Sequence, residues 1–269
     1  MIVVYHARMS AASLPAERKA VLFTAGGIRL ALRLSQVREI VAVEEDASEL
    51  VLRGTPIPAL PVAVALGLPA RRARFAVVTE AVPGCALKVD EVHGIVDLGA
   101  TEVFQLPTRT QLPQPPPFQG ALVESGNIAL ELAIATLGWA PIEPAIESVG
   151  PAPELEFPSG RELLFSRAGR TYAVPIQLLE HVLDAPRLFP VPLAPAAHRG
   201  IVYYGRAIHP VFDLAVLYGD PPSEAWSTAL LVEAGGNAIA VLADRILHAG
   251  EAVRDPVARP SWDVLFAAP

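Results

Sequence analysis

The six histidines, His6, His93, His181, His198, His209 and His248, are the side chains of this sequence best suited to holding a metal or moving a proton. None stands in an H-x-H or HExxH spacing, so neither a strand nor a helix brings two imidazoles to one metal-facing surface. His198, His209 and Asp213 share one stretch, but ordinary loop and strand positions explain all three. Nucleophilic chemistry has no better footing. Ser125 lies in Glu-Ser-Gly-Asn, not in the G-x-S-x-G of a nucleophile elbow. Cys85 is the only cysteine, two residues after Pro83 and beside Gly84, which is a hairpin setting. It has no second thiol for a disulfide or a CxxC pair. Asp90 and Glu91 are adjacent and point to opposite faces of an extended chain, so they make no acid–base pair. Gly26-Gly27 and Gly235-Gly236 lack the G-x-G-x-x-G context of a nucleotide site. The expectation is a protein with no catalytic residue, metal or cofactor.

Composition narrows the partners. Of the 269 residues, 52% are hydrophobic and only 18% charged, which leaves apolar side chains for the surface once the cores are filled, as protein contacts require. Formal net charge is -7, and the one basic cluster, Arg71-Arg72-Ala73-Arg74, is too small to track a phosphate backbone. Nucleic acid is therefore not an expected partner. The opening MIVVYHARMS is too brief for a signal-peptide core. The apolar stretch from Ile57 to Ala70 is broken by Pro58, Pro61 and Pro69 and falls short of the roughly 20 residues that span a bilayer. A reducing, cytoplasmic location is expected.

Internal similarity organises the chain. VLFTAGGIRLALRLSQVREIV (Val21 to Val41) aligns without a gap on LLFSRAGRTYAVPIQLLEHVL (Leu163 to Leu183). Both read as hairpins followed by a short segment of uncertain type. Leu52 to Pro69 matches Tyr204 to Pro221, with Gly54 on Gly205 and Pro58 on Pro210 after one inserted residue. Phe75 to Ile95 matches Ala229 to Ala249, each with two strands around a Gly-containing turn and then Asp90 or Asp244, for which a turn or ladder role is expected. Three blocks in one order indicate a duplication. Helical signal is confined to Val62–Leu66 and Leu214–Leu217; the rest reads as short strands of small barrels or sandwiches. Pro141 to Gly160 is rich in proline and glutamate with no basic residue, a stiff linker. Pro113 to Pro117 reads as a polyproline-like surface crossing. The boundaries expected are 16–140, 141–160 and 161–269.

These blocks resemble the CheW-like domain of bacterial chemosensory systems. The resemblance runs through Val37-Arg38-Glu39-Ile40, Arg53-Gly54-Thr55-Pro56-Ile57-Pro58, Val89-Asp90-Glu91-Val92, and a glycine-led pair, Gly120-Ala121-Leu122-Val123 with Ile128 to Leu132. It implies a mostly β fold of two modules, each made of small SH3-like five-stranded barrel halves. It also implies a non-catalytic adaptor whose partners are a CheA-type histidine kinase and the cytoplasmic tips of chemoreceptors, with recruitment to membrane arrays through those receptors. The second copy departs from the pattern. It keeps Asp213-Leu214 where the first has Pro61-Val62, but has Tyr204-Gly205 for Arg-Gly and His181 aligned with Glu39. Its tail, SWDVLFAAP, offers at most one strand where the first copy has two.

Glu39, Arg53 and Gly54 are the docking residues expected, with Val37 and Ile40 adding an apolar contact or packing in the core. Glu39 and Arg53 are both replaced at the aligned positions of the second copy, as an ion pair or a shared patch would be; two independent surface charges give the same pattern. The incomplete second barrel should expose a strand edge. Met1 to His6, or a partner's strand, is expected to cover it, the alternative being a frayed start or an extra strand on the first copy. The competing functional reading is a β-barrel enzyme or small-molecule sensor with a site between the copies near His198 and Asp213. A decoy that occupies kinase sites without coupling is the third.

Overall fold

Gly26 and Gly27, at φ of 59° and 85°, turn the chain from β1 (Lys19–Ala25) into β2 (Ile28–Arg33), because a two-residue hairpin loop that follows the strand twist needs positive φ at both positions. A computed structural model describes residues 16–43, 49–80, 84–107, 110, 112–137, 161–247 and 256–266. A 3-10 turn follows the hairpin, then β3 (Val37–Ala42), β4 (Glu49–Leu52), β5 (Thr55–Pro61), the helical turn α1 (Val62–Ala65), β6 (Phe75–Thr79) and β7 (Ala86–Val89). β8 (Glu91–Asp97), β9 (Glu102–Phe104), β10 (Phe118–Glu124) and β11 (Asn127–Leu132) complete the first copy. Its strands make two sheets, β8-β1-β2-β11-β10-β9 and β3-β6-β7-β5-β4, in which only β2–β11 and β5–β7 pair in parallel. Consecutive residues Val21, Leu22 and Phe23 are all buried, so β1 is covered on both faces and reads as an apolar run, not an alternation. Residues 112–117 join β9 to β10 without regular structure, as expected of the proline run.

The second copy repeats this order with β12 (Glu162–Arg167), β13 (Arg170–Pro175), a 3-10 turn, β14 (Leu179–Asp184), β15 (His198–Tyr204), β16 (Ala207–Phe212) and α2 (Leu214–Leu217). β17 (Thr228–Ala234), β18 (Asn237–Ala243), the two-residue β19 (Arg245–Ile246) and α3 (Trp262–Phe266) follow. Its sheets are β13-β12-β19 and β14-β17-β18-β16-β15. The chain divides into two compact units, one holding β1–β11 and the other β12–β19. The fold is thus mostly β and duplicated, with curled sheets that fit small-barrel halves. The segment of uncertain type after each opening hairpin is a 3-10 turn leading into β3 or β14.

Two expectations need correcting. The turn after β4 is Arg53-Gly54, at φ of 50° and 84°, and the turn after β15 is Gly205-Arg206, at 60° and 61°. Arg53 therefore matches Gly205 and Gly54 matches Arg206, and no residue is inserted. Both central positions of such a turn need positive φ, so glycine at either one relieves the strain and the pair changes order without changing the turn.

The tail of the second copy, read as at most one strand, forms the helix α3 instead. Among the described residues the second copy has no counterpart of β9 or β10, and its β11 shrinks to one residue. Ala258 bridges Tyr172 in parallel, as Leu130 pairs Leu30, through Ala173 N–H to Ala258 O (3.0 Å) and Ala258 N–H to Thr171 O (2.8 Å). Arg259 clamps this strap to Glu162 with two bonds of 3.0 Å. Beyond it, Trp262 and Phe266 enter the core formed by Phe165, Tyr172, Val174 and Leu230, taking the volume that a hairpin's side chains would fill. The edge of β13 is thus partly covered by the chain's own C-terminal segment. Met1 to His6 and Pro141 to Gly160 lie outside the described residues.

Candidate protein-docking site

β3 and β4 are the two outer strands of the first copy's five-stranded sheet, and Glu39 and Arg53 meet where they do not hydrogen-bond to each other. A bulge in β3 leaves Arg38 as the extra residue between the pairs Val37–Thr79 and Glu39–Val78, which re-aims the side chains at this edge. Arg53 Nη2 then stands 3.7 Å from Glu39 Oε2, and Arg38 Nε 3.5 Å from Glu39 Oε1. Of the readings left open by the sequence, the structure has the ion pair. The Glu39 side chain is only 15% exposed, whereas that of Arg53 is 72% exposed, so most guanidinium donors face outward. So exposed a pair adds less than about 1 kcal/mol to stability. Gly54 shapes the turn that presents Arg53.

Val37 and Ile40 are half-buried, and it is Val41 that packs in the buried cluster with Leu50, Leu52 and Ile57. Alongside lies Val51, 54% exposed and paired with exposed Pro56. Val51 was not singled out in the sequence, although the alternation of Glu49-Leu50-Val51-Leu52 already turns it outward.

The matching edge of the second copy is different. The same bulge recurs in β14 at His181, but its ring stacks on Tyr204 with centroids 4.9 Å apart, and Glu180 stands where the first copy has Arg38. At the position of Glu39 the second copy thus has an aromatic stack.

Asp213 has a structural assignment. It is completely buried against Arg167, whose five N–H donors are all used. Nε donates to Asp213 Oδ1 (2.9 Å), and Nη2 to Asp213 Oδ2 and Ser223 O (2.8 Å). Nη1 donates to Asp244 Oδ1 (2.8 Å) and Ala225 O. Burial opposes the positive charge, and the bonds and charges of Asp213 and Asp244 outweigh it, holding the guanidinium above its ordinary value. Asp213 also caps α2 by accepting from Ala215 N–H, and Asp244 accepts from Ala168 N–H. Asp90 and Asp244 share the expected ladder role: each donates its N–H to the opening strand, at Thr24 O and Ser166 O, both at 2.8 Å.

The remaining described histidines are spread through the fold. His93 Nε2 lies 2.6 Å from Thr24 Oγ1, and His209 Nε2 3.2 Å from Tyr204 O. His198 is buried at the bulge that opens β15, its Nδ1 accepting from Gly200 N–H (3.3 Å) and its ring edge-on to Phe212. Gly200 is required there, since its φ is 122° and a Cβ would meet Phe189 O at 2.4 Å. Burial pushes the His198 pKa down from 6.5 to about 4. The neutral ring is the folded form, so its contribution is complete above pH 6.5 and is lost as the pH falls toward 4. At about 1.4 kcal/mol per unit, the second copy should lose about 3 kcal/mol across that window. Urea unfolding at several pH values checks this, and His198→Leu should flatten the dependence.

Duplicated, mostly β modules, each with a bulge in an outer strand of its five-stranded sheet, define the class of fold. The chain belongs to the CheW-like domain family, which matches residues 19–138 and 162–265. Among solved structures it is similar to the scaffolding protein TtCheW from Thermoanaerobacter tengcongensis, at 24% identity over 32% of this chain and 60% of that chain, with a TM-score of 0.30. No curated protein matches the chain. Among the described residues, no helix is long and apolar enough to cross a membrane.

Proposed function

We propose that this protein is a cytoplasmic, non-catalytic adaptor that couples chemoreceptor tips to a CheA-type histidine kinase, and that the outer edge formed by β3 and the β4–β5 turn is one of its docking faces. Family membership supports the adaptor reading. The observation that carries the site is the exposed Arg53 guanidinium held beside the half-buried Glu39 carboxylate, with Val51 as an apolar neighbour. A fixed charge beside apolar surface favours one partner orientation and repels wrong ones, which is how polar groups act at interfaces. The modules are taken as 16–140 and 161–269, joined by 141–160. Because the second copy carries His181 and Tyr204 at this edge, the two modules present different chemistry and are not interchangeable.

Arg53→Glu tests the site. Glutamate accepts the same backbone angle as arginine, so thermal unfolding should stay within about 1 kcal/mol of the parent. Co-purification of kinase or receptor should fall. Undiminished co-purification would remove this edge from the account.

A further inference from the structure

The loop between α1 and β6, Gly67 to Arg74, is tied down and carries three exposed arginines. Leu68 N–H donates to Ala63 O (2.8 Å) and Arg74 N–H to Val89 O (3.0 Å), while Arg74 O accepts from Val43 N–H (3.1 Å). The Leu68 side chain rests on Gly26, where a Cβ would approach it to 2.6 Å, and the Arg71 guanidinium lies over Gly27. Arg71, Arg72 and Arg74 are all exposed. Among the described residues, no carboxylate lies within ion-pair distance of Arg71 or Arg74.

That is unusual in a chain with 28 acidic and 21 basic residues. Several other guanidinium groups of the chain are engaged by carboxylates. Arg33, Arg167 and Arg259 each grip a carboxylate side-on with Nε and Nη2. The corresponding loop of the second copy reverses the sign and closes its charges internally, with Asp220 on Arg170 (2.9 Å) and Glu224 on Arg199 (2.7 Å).

We propose that the Gly67–Arg74 loop is a second docking surface, which takes an acidic segment of a partner protein, its carboxylates gripped by Arg71 and Arg74. The fork geometry suits a carboxylate, as this chain's own pairs illustrate. The loop has no aromatic side chain on which a nucleobase would stack, and its few charges neutralise few phosphates. Its one large apolar side chain, Leu68, packs inward on Gly26, so nothing is offered for insertion into a lipid surface. The proposal stands apart from the β3–β4 edge, because it rests on different residues.

The test is fluorescence anisotropy of a labelled glutamate-rich peptide titrated with the full chain, with a single-stranded oligonucleotide and phosphatidylserine vesicles as competing probes. Saturable, salt-sensitive peptide binding is expected. Arg74→Glu should weaken it about tenfold, and Arg71→Lys with Arg74→Lys, which keeps charge but loses the fork, by a smaller factor. Arg161→Glu, an equal charge change at an exposed position of the second copy, should leave it within about twofold. Circular dichroism of each variant confirms the fold. Peptide affinity insensitive to Arg74→Glu, or tighter capture of the oligonucleotide or the vesicles, would overturn the proposal.

Discussion

Trp262→Ala should unfold the second module ahead of the first, lowering its stability by about 3–5 kcal/mol, the range for truncating a buried aromatic. The indole is almost fully buried among Phe165, Tyr172 and Val174, on the face where the first module has the hairpin of β10 and β11. Alanine would leave a void in this cluster, and the strap at Ala258 would lose the apolar anchor that follows it. Urea unfolding followed by hydrogen exchange reads both modules. Amides of β12 and β13 should exchange early while those of β1 and β2 keep their protection. Equal loss of protection in both modules would show that α3 is not the plug of the second barrel.

Arg167→Met should be as damaging for an electrostatic reason. Methionine approximates the volume but leaves the fully buried Asp213 carboxylate without its cation, and breaking one partner of such a pair costs about 3–5 kcal/mol. The Ser223 and Ala225 carbonyls lose their donors as well. Adding Asp213→Leu should restore much of the loss, since an apolar pair avoids an uncompensated charge; the recovery stays incomplete because the α2 cap is lost, worth about 1 kcal/mol. Denaturant midpoints of the two variants decide this. If the double variant is no better than the single, the damage lies in packing and not in the stranded carboxylate.

These two residues also mark where the sequence stopped being legible. Block repeats, hairpins and helical turns were readable because strand periodicity and glycine placement are local signals. Glu39 and Arg53 were readable as a pair because the duplication acts as an internal comparison, although the turn swap means that arginine moved to position 206 in the second copy and was not deleted. Arg167 was opaque. It ends an apolar strand, and its need for Asp213 and Asp244 arises only when segments 46 and 77 residues away fold onto it. Trp262 was misread for a related reason: a short apolar tail suits a strand as well as a short helix, and what selects the helix is the core of Phe165, Tyr172 and Val174 that Trp262 and Phe266 fill.

The central claim is that the first module docks a signalling partner through the edge bearing Glu39 and Arg53. The most direct measurement is calorimetric titration of the whole chain with the regulatory domain of a CheA-type kinase and with a receptor-tip fragment, repeated on the exchange variant Glu39→Arg with Arg53→Glu. The exchange keeps an ion pair but inverts the charges offered to a partner. The account predicts an unchanged unfolding temperature and at least about tenfold weaker binding to one of the two partners. Binding of both partners at parental affinity would contradict it.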